Sequence, residues 1–565
     1  MKNHPLSRRH LILGLGASFT ALSGCASIPS GGSVNHFGDP QKSSQASNSE
    51  VVPSGPRPGA TPQEILQGFF SAGVGAENDY EIARQYLTES MAASWKSEER
   101  VFIYQQGLSI KPASGQGAFT VAVPVQTQIS DNGIARTLSS TEERKFNVKL
   151  TQVDGQWRID EIPNGLVLER GEFNQSFAPF TLYFYDPTFT YAVPDIRWFA
   201  RRLSVATSMV RVLLGGPAPY LKNAVRSAIP ANTELSRNSV PVETSEAQVS
   251  LKGPKISPDM PQLEIERIQS QLSQTLRGIN GIDKVSLRFD DQNVHTGTLE
   301  NYIEPQVNPT VAQNIISLEG TKLSLRSELL NDQNMITVHE DPEGTITQTA
   351  MGYTRQHFAY LNADHSVMTV IGEKRSERTV SGTNLTRPSF DQFQWVWISN
   401  SDGAVRALSM GGAQSAAPRQ VQVNWLDGAQ ITSLRLSRDG ARVAVVTRTG
   451  KTTHLWVCGV ERDDENKPVK LSEPVRVGVS IEVDYAAWIS DEALIGANFS
   501  TGESEMCYLS GKTVPIAQLD SLTQVAACIG REQVLAQTEN QNIYLLVDRA
   551  WTRVETSAHD LNYSS

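Results

Sequence analysis

The chain has 565 residues, of which 39% are hydrophobic and 19% are charged, and its formal net charge is −10. A chain of this size and composition is expected to fold into about three or four globular domains. Nucleic acid is excluded as an expected partner, because binding it requires concentrated Lys and Arg and no basic stripe is present.

The first residues have the pattern of an export signal. A basic segment containing Arg8 and Arg9 precedes an apolar run from Leu11 to Leu22, which is the order found in secretory signal peptides. The run is too short to cross ~30 Å of hydrocarbon, which requires ~20 residues. The paired arginines also resemble a twin-arginine export signal, so that route and the general secretory route both stay open.

The apolar run ends in small residues followed by a cysteine, Leu22-Ser23-Gly24-Cys25. This segment resembles the lipobox of bacterial lipoproteins, and the alternative is an ordinary signal peptide with a chance cysteine. We therefore predict a signal peptide at 1–24 and lipidation of Cys25. The resemblance implies a covalent diacylglycerol and an N-linked acyl chain on Cys25, and no other cofactor is expected. More than one acyl chain, at ~0.8 kcal/mol per buried methylene, gives a stable anchor.

Residues 25–60 are rich in Ser, Gly, Pro and Asn and show no hydrophobic periodicity. Such a composition is typical of a flexible tether. The prediction is therefore a protein that is lipid-anchored to the cell membrane, on its extracytoplasmic face, and stands off from it.

An α+β domain is predicted at 61–172. Thr61, Pro62 and Glu64 form a helix start with a capping box, and a second helix buries Tyr80, Ala83, Tyr86 and Leu87. Strands are predicted at 119–128, 143–153 and 156–168, with a hairpin turn at Asp154-Gly155. This order resembles the cone-shaped domains related to nuclear transport factor 2.

A smaller α/β domain is predicted at 178–295. It begins with a strand at 181–185, and a long helix follows with an inward face of Phe199, Leu203, Ala206, Val210 and Leu213. Further strands are predicted at 228–229, 247–251 and 285–289, together with a helix from Ile265 to Ile279. The string RVLLGGPAPYLKNAVRSAIPANTEL resembles the GerMN domain of spore germination proteins, which are small extracytoplasmic α/β modules.

The segment 310–562 is predicted to be an all-β propeller. Four stretches, at 358–371, 434–447, 486–499 and 526–539, each have the pattern strand, polar turn, strand, and a fifth pair begins at Phe393. The last three copies start 52 and 40 residues apart, close to the length of a propeller blade. Five or more blades are expected.

Catalytic and metal-binding motifs are not found. The sequence contains no HExxH, CxxC, GxSxG or P-loop motif. Asp364-His365 is interpreted as a turn, and the acidic run 461–466 as a solvated loop rather than a calcium site. We predict no catalytic residue, no metal site and no enzyme. Three cysteines lie in apolar strands, where buried free thiols are favoured and pairing of two stays open: Cys458, Cys507 and Cys528.

The combination of lipobox, tether, cone-like domain, GerMN-like domain and propeller resembles the LpqB family of actinobacterial lipoproteins. The segment Asn384-Leu385-Thr386-Arg387-Pro388-Ser389-Phe390-Asp391, before Trp395 and Trp397, is similar to a stretch of that family. A departure is the sequence ISDEA at 489–493, where an Asp-Gly turn would be expected.

The family resemblance implies association with the extracytoplasmic domain of a sensor histidine kinase, as in the MtrA–MtrB two-component system. The first functional hypothesis is therefore a non-enzymatic protein that modulates this signalling in envelope growth and division. The alternative is an envelope lipoprotein that binds cell-wall glycans or peptides.

Overall fold

The computed structural model describes residues 53–297, 299–327, 335–341, 343–372, 376–411, 417–528 and 534–564. They form two mixed α and β domains followed by a β-propeller. The predicted signal peptide 1–24 and most of the tether lie outside the described residues, as do its named positions: Arg8, Arg9, Leu22, Ser23, Gly24 and Cys25.

The first domain begins with a helix, α1 (Pro62–Ala72). Its capping box has the predicted residues: the Thr61 amide donates to Glu64 Oε2 at 2.7 Å, and the Glu64 amide donates to Thr61 Oγ1 at 3.3 Å. Two short helices follow, α2 (Glu81–Arg84) and α3 (Glu89–Ser94). The apolar face of α1 packs on the sheet and forms the core of the domain.

A curved sheet, in the order β5-β4-β3-β1-β6 with β2 paired to β3, completes the first domain. Asp154 and Gly155 both have positive φ in the β4–β5 hairpin, as the predicted turn requires. The prediction of one strand at 156–168 is wrong, because Pro163 interrupts it and β6 pairs in parallel with β1 instead. The strands are β1 (Arg100–Tyr104), β2 (Ser109–Pro112), β3 (Ala118–Ser130), β4 (Ala135–Val153), β5 (Gln156–Glu161) and β6 (Leu166–Glu169).

The second domain combines a long hairpin with a parallel strand pair joined by a helix. A short helix, α4 (Arg170–Ser176), leads into the hairpin β7–β8, and α6 connects the parallel strands β11 and β12. The elements are β7 (Phe177–Tyr185), β8 (Ala192–Ala200), α5 (Val205–Leu214), β9 (Glu234–Leu235), β10 (Val242–Glu243), β11 (Glu246–Lys252), α6 (Gln262–Leu276), β12 (Lys284–Phe289) and β13 (Gln292–Asn293).

The predicted helix through Phe199 and Leu203 is wrong at its beginning. Phe199 lies in β8, Leu203 is 93% exposed, and the helix begins at Val205. Nine residues of β8 pair with β7. This strand pairing overrides the helical spacing of apolar residues, which continues from β8 across the following loop into the helix. Of the five residues predicted to face inward, Ala206, Val210 and Leu213 are buried in this helix.

Two other element boundaries in this domain differ from the prediction. Helix α6 ends at Leu276, before Ile279. No strand forms at 228–229 within the described residues; instead the amides of Ala228 and Ile229 donate to the buried Oε1 of Gln271.

A buried ion pair joins the first domain to the second. Arg197 and Asp195, both 1% exposed, make a two-point contact at 2.7 and 2.8 Å. Arg197 Nη1 also donates to the carbonyl of Asn132 in the first domain, and Asp195 accepts from the amide of Ala218. The pair thus has several partners on both sides, as buried charges require.

The described part of the propeller contains six antiparallel sheets, in agreement with the predicted fold. The strands are β14 (Ile315–Glu319), β15 (Lys322–Arg326), β16 (Ile336–Glu340), β17 (Thr347–Met351), β18 (Phe358–Leu361), β19 (Val367–Ile371), β20 (Glu377–Ser381), β21 (Ser389–Phe390), β22 (Trp395–Ser399), β23 (Val405–Ser409), β24 (Arg419–Val421), β25 (Gln430–Leu436), β26 (Arg442–Thr449), β27 (Thr452–Arg462), β28 (Pro468–Leu471), β29 (Val475–Arg476), β30 (Tyr485–Trp488), β31 (Ala493–Ala497), β32 (Ser504–Tyr508), β33 (Thr513–Ile516), β34 (Leu522–Ala527), β35 (Val534–Thr538), β36 (Ile543–Val547), β37 (Ala550–Val554) and β38 (His559–Tyr563).

The innermost strands β17, β21, β25, β30, β34 and β38 contact one another in turn and form a closed ring. Strand β38, from the end of the propeller segment, pairs with β14 and supplies the innermost strand of the first blade. This pairing covers the edge of β14, and ring closure packs the first blade against the last, so that only short, protected edges stay free.

The five strand-turn-strand stretches do not occupy the same place in their blades. Those at 434–447, 486–499 and 526–539 lie on the first and second strands of a blade, counting from the channel. The stretches at 358–371 and from Phe393 lie on the second and third strands. The sequence spacing therefore reports the blade length only for the last three copies.

Candidate functional site: the propeller channel

The propeller has two faces, which the chain topology makes different. In the five blades other than the first, the turns between the first and second strands lie on one face, which we call the turn face. Loops that lead into the innermost strands, and loops between the second and third strands, lie on the opposite face, which we call the open face. The second domain packs on the turn face.

An arginine on the turn face is held between two aromatic rings. The guanidinium of Arg438 lies 5.0 Å from the ring centre of Tyr191, in the second domain, and 4.0 Å from that of Tyr353, in the propeller. Both are within the range of cation–π attraction. This stack joins the second domain to the propeller at that end of the channel.

A buried charge cluster reinforces the contact. Arg442 is fully buried and donates to Asp439 Oδ2 at 2.6 Å and to the carbonyl of Asp491 at 2.7 Å. Asp491 and Asn308 exchange two hydrogen bonds, at 2.9 and 3.1 Å. Burial, with Glu492 next to it, raises the pKa of Asp491 to about 7.

Additional polar contacts lie around this cluster. Thr181 donates to Glu492 at 2.6 Å, and Ser472 donates to the carbonyl of Tyr220 at 2.6 Å. Gly459 lies against the same carbonyl, where a Cβ atom would come within 2.4 Å. The second domain and the propeller are therefore fitted closely together.

The open face leads into a cavity of about 360 Å³ at the mouth of the channel, a size typical of small-molecule sites. Its charged lining groups are Arg387, Arg435 and Asp484. Arg387 contacts Asp560 at 3.1 Å, and both side chains are 9% exposed. Nη1 of Arg387 is buried without a hydrogen-bond partner in the described part of the chain.

Arg435 lies deeper, between the open face and the turn face. It donates to the carbonyl of Pro388 at 2.8 Å and lies 6.0 Å from the ring centre of Tyr485. Burial lowers the pKa of Arg435, and the nearby Arg387 lowers it further. Two guanidinium groups from different segments are thus close to one cavity.

The rim of the cavity adds an ion pair and a pair of aromatic rings. Asp484 is paired with Arg448, and its Oδ2 accepts from the amide of Phe499 at 2.9 Å. The rings of Tyr485 and Phe499 stack with centres 6.0 Å apart. Hydroxyl and amide side chains occupy most of the remaining wall.

Asp364 and His365 are part of a turn, and only the histidine lines the cavity. Asp364 accepts from Ser366 Oγ at 2.7 Å, and His365 Nε2 lies 3.3 Å from Gln348 Nε2. Burial, and then Arg387, lowers the pKa of His365. The imidazole is therefore neutral at pH 7.

Other positions singled out in the sequence lie elsewhere. In the acidic run, Asp463 is part of a turn and accepts from the amides of Glu465 and Lys467. No group of metal-ligating side chains occurs in the residues that the structure describes. All three cysteines are buried, as predicted, and no disulfide joins them: Cys458, Cys507 and Cys528.

No sequence motif indicated a role for Arg387 or Arg435. Arg387 belongs to the segment 384–391 that carried the family resemblance, and this segment was the available signal. Asp560 is 173 positions further along the chain and reaches Arg387 only because β38 closes the ring.

Family models match the three folded parts of the chain. Residues 55–174 match the model described as "Lipoprotein LpqB, N-terminal domain", and 333–561 match "Lipoprotein LpqB beta-propeller domain". Residues 181–295 match the Germane model, described as "Sporulation and spore germination". The two models that have LpqB in their description together cover more than half of the chain.

Relatives named as LpqB lipoproteins are similar in sequence over most of this chain. A protein of Streptomyces avermitilis named "Lipoprotein LpqB" is 26% identical over 97% of each chain. One of the same name from Mycobacterium leprae is 26% identical over 93% of this chain and 90% of its own. No helix of the described regions has the length and apolarity needed to cross a membrane.

Proposed function

Because the chain belongs to the LpqB lipoprotein family, we propose that it is a non-enzymatic accessory protein of a sensor histidine kinase of the MtrB type. A lipid on Cys25 would hold it at the extracytoplasmic face of the cell membrane, the membrane in which such a kinase resides. The observation that carries the proposal is the family match over the folded domains together with the lipobox at 22–25. The kinase association itself rests on the family resemblance.

Anchoring explains how a weak contact could act. Two partners confined to one membrane meet at a raised effective concentration, so a modest affinity is sufficient. To modulate signalling, the protein must bind one conformation of the kinase more tightly than the other. The buried contacts between the domains favour a rigid body that could transmit such a preference.

The test replaces the anchor and leaves the folded domains unchanged. Cys25→Ala, expressed at native abundance, is expected to reduce kinase-dependent phosphorylation of the response regulator under envelope stress. Cys458→Ala is the matched control, because it removes a buried thiol and keeps the anchor. Wild-type phosphorylation in the Cys25→Ala strain, or in a strain lacking the protein, would contradict the proposal.

The alternative, binding of cell-wall glycans or peptides, is favoured by one observation, the cavity on the open face of the propeller. Retention of the purified protein on peptidoglycan distinguishes the two functions. A kinase accessory protein should show little retention, whereas a wall-binding protein should be retained and then released by soluble wall fragments.

A further inference from the structure

The channel is joined to the second domain at one end and accessible at the other. At the turn face Arg438 is held between Tyr191 and Tyr353, and Arg442 and Asp491 are buried. The cavity of about 360 Å³ lies at the opposite end. A ligand would therefore enter from the open face.

The charge of the lining favours an anion with a single negative charge. Two guanidinium groups, from Arg387 and Arg435, and one carboxylate, from Asp484, line the cavity. The ion-pair partners behind the lining, Asp560 and Arg448, add one charge of each sign and cancel. The lining thus has a net charge of one positive unit, since the imidazole of His365 is neutral. A doubly charged anion would leave one negative charge uncompensated beside Asp484.

Arg387 lines the cavity and has a donor that the described residues leave unused. Asp560 binds its Nη2, at 3.1 Å, and fixes the side chain. Its Nη1 is buried without a hydrogen-bond partner among the described residues, which is costly for a charged donor. A guanidinium group characteristically offers two parallel donors to a carboxylate.

We propose that the open end of the propeller channel binds a small molecule bearing one carboxylate, which is held by Arg387 and Arg435. The hydroxyl and amide groups of the wall bind the polar part of the ligand, and the stacked rings of Tyr485 and Phe499 offer an apolar face at the rim. A sugar acid and the free C-terminus of a short peptide share this chemistry. The site does not depend on any contact with a kinase.

Calorimetric titration of the full chain in detergent tests the site with two pairs of probes. N-acetylmuramic acid is compared with N-acetylglucosamine, which lacks the carboxylate, and acetyl-Ala-Ala with its amide. The acid of one pair should bind at least about tenfold more tightly than its neutral counterpart, since a hydrogen bond to a charged group is worth that much or more. Which pair shows the difference identifies the source of the carboxylate. Equal affinities in both pairs would overturn the proposal.

Variants connect the binding to the residue. Arg387→Gln should weaken acid binding about tenfold or more, and Arg387→Lys, which keeps the charge but loses the paired donors, should have an intermediate effect. Arg419→Gln removes an equal charge from a 41% exposed side chain outside the cavity and should bind like wild type. Circular dichroism checks that each variant is folded. Wild-type affinity in folded Arg387→Gln would overturn the assignment, and if that variant does not fold, Arg387→Lys and the probe pairs decide.

Discussion

Arg442→Met should lower the free energy of unfolding by ~3–5 kcal/mol. The side chains of Arg442 and Asp439 are 0% and 2% exposed, so the substitution leaves a buried carboxylate without its cation, and breaking a buried pair on one side has this cost. The variant also loses the hydrogen bond to the carbonyl of Asp491, which connects adjacent blades. Urea unfolding, followed by circular dichroism and tryptophan fluorescence, measures the change.

The matched control is Arg448→Met. Arg448 also pairs with an aspartate, Asp484, but its side chain is 34% exposed, and exposed pairs contribute ~0–1 kcal/mol. The double variant Arg442→Met/Asp439→Leu should recover part of the lost stability, because neither charge then stays buried alone. If Arg442→Met loses no more stability than Arg448→Met, the assignment of a buried, structurally important pair is refuted.

The remaining predictions concern titration, helix position and thiols. The pKa of Asp491 is about 7 in the folded protein and ~3.9 in an unfolded chain. The folded state therefore retains the proton, and the stability that this group contributes is greatest at low pH and is lost as the pH rises through 7. Unfolding free energies should therefore fall by ~2–3 kcal/mol more in wild type than in Asp491→Asn between pH 5 and pH 8, and parallel pH profiles would disprove this. Leu213→Ala, in the buried face of α5, should lower the free energy of unfolding by ~2–5 kcal/mol. Leu203→Ala, at a side chain that is 93% exposed, should change it by less than ~0.5 kcal/mol. Equal losses of stability in thermal unfolding would instead support a helix that includes Leu203. In lipidated protein, in which the Cys25 thiol is blocked, Ellman's reagent should find no reactive thiol before unfolding and three thiols in urea. The other three cysteines are at most 2% exposed in the folded protein: Cys458, Cys507 and Cys528.

Local patterns predicted those elements that short-range interactions decide. The capping box at Thr61 and Glu64 and the turn at Asp154-Gly155 are made within a few residues of chain, and both form as expected. Each strand-turn-strand stretch is also formed by residues close together in the chain, and the repetition of such stretches predicted a propeller. Their position within a blade depends on neighbouring strands, so it could not be read from the spacing.

Pairing between distant segments overrode local periodicity elsewhere. Phe199 has a helical spacing to Ala206 and Val210, but nine residues of β8 pair with β7 and place it in a strand. Pro163 divides a strand that alternation alone would have continued, because proline cannot donate to the ladder.

By itself the sequence predicted the order of the domains, a lipobox at 22–25 and a propeller, since each prediction depends on residues close together in the chain. Only the tertiary structure decided that the second domain packs on one face of the channel and that six blades form within the described residues. It also decided that Arg387, Arg435 and Asp560 share one neighbourhood. The reason is ring closure: the last strand returns to the first blade and brings together side chains that no local pattern connects.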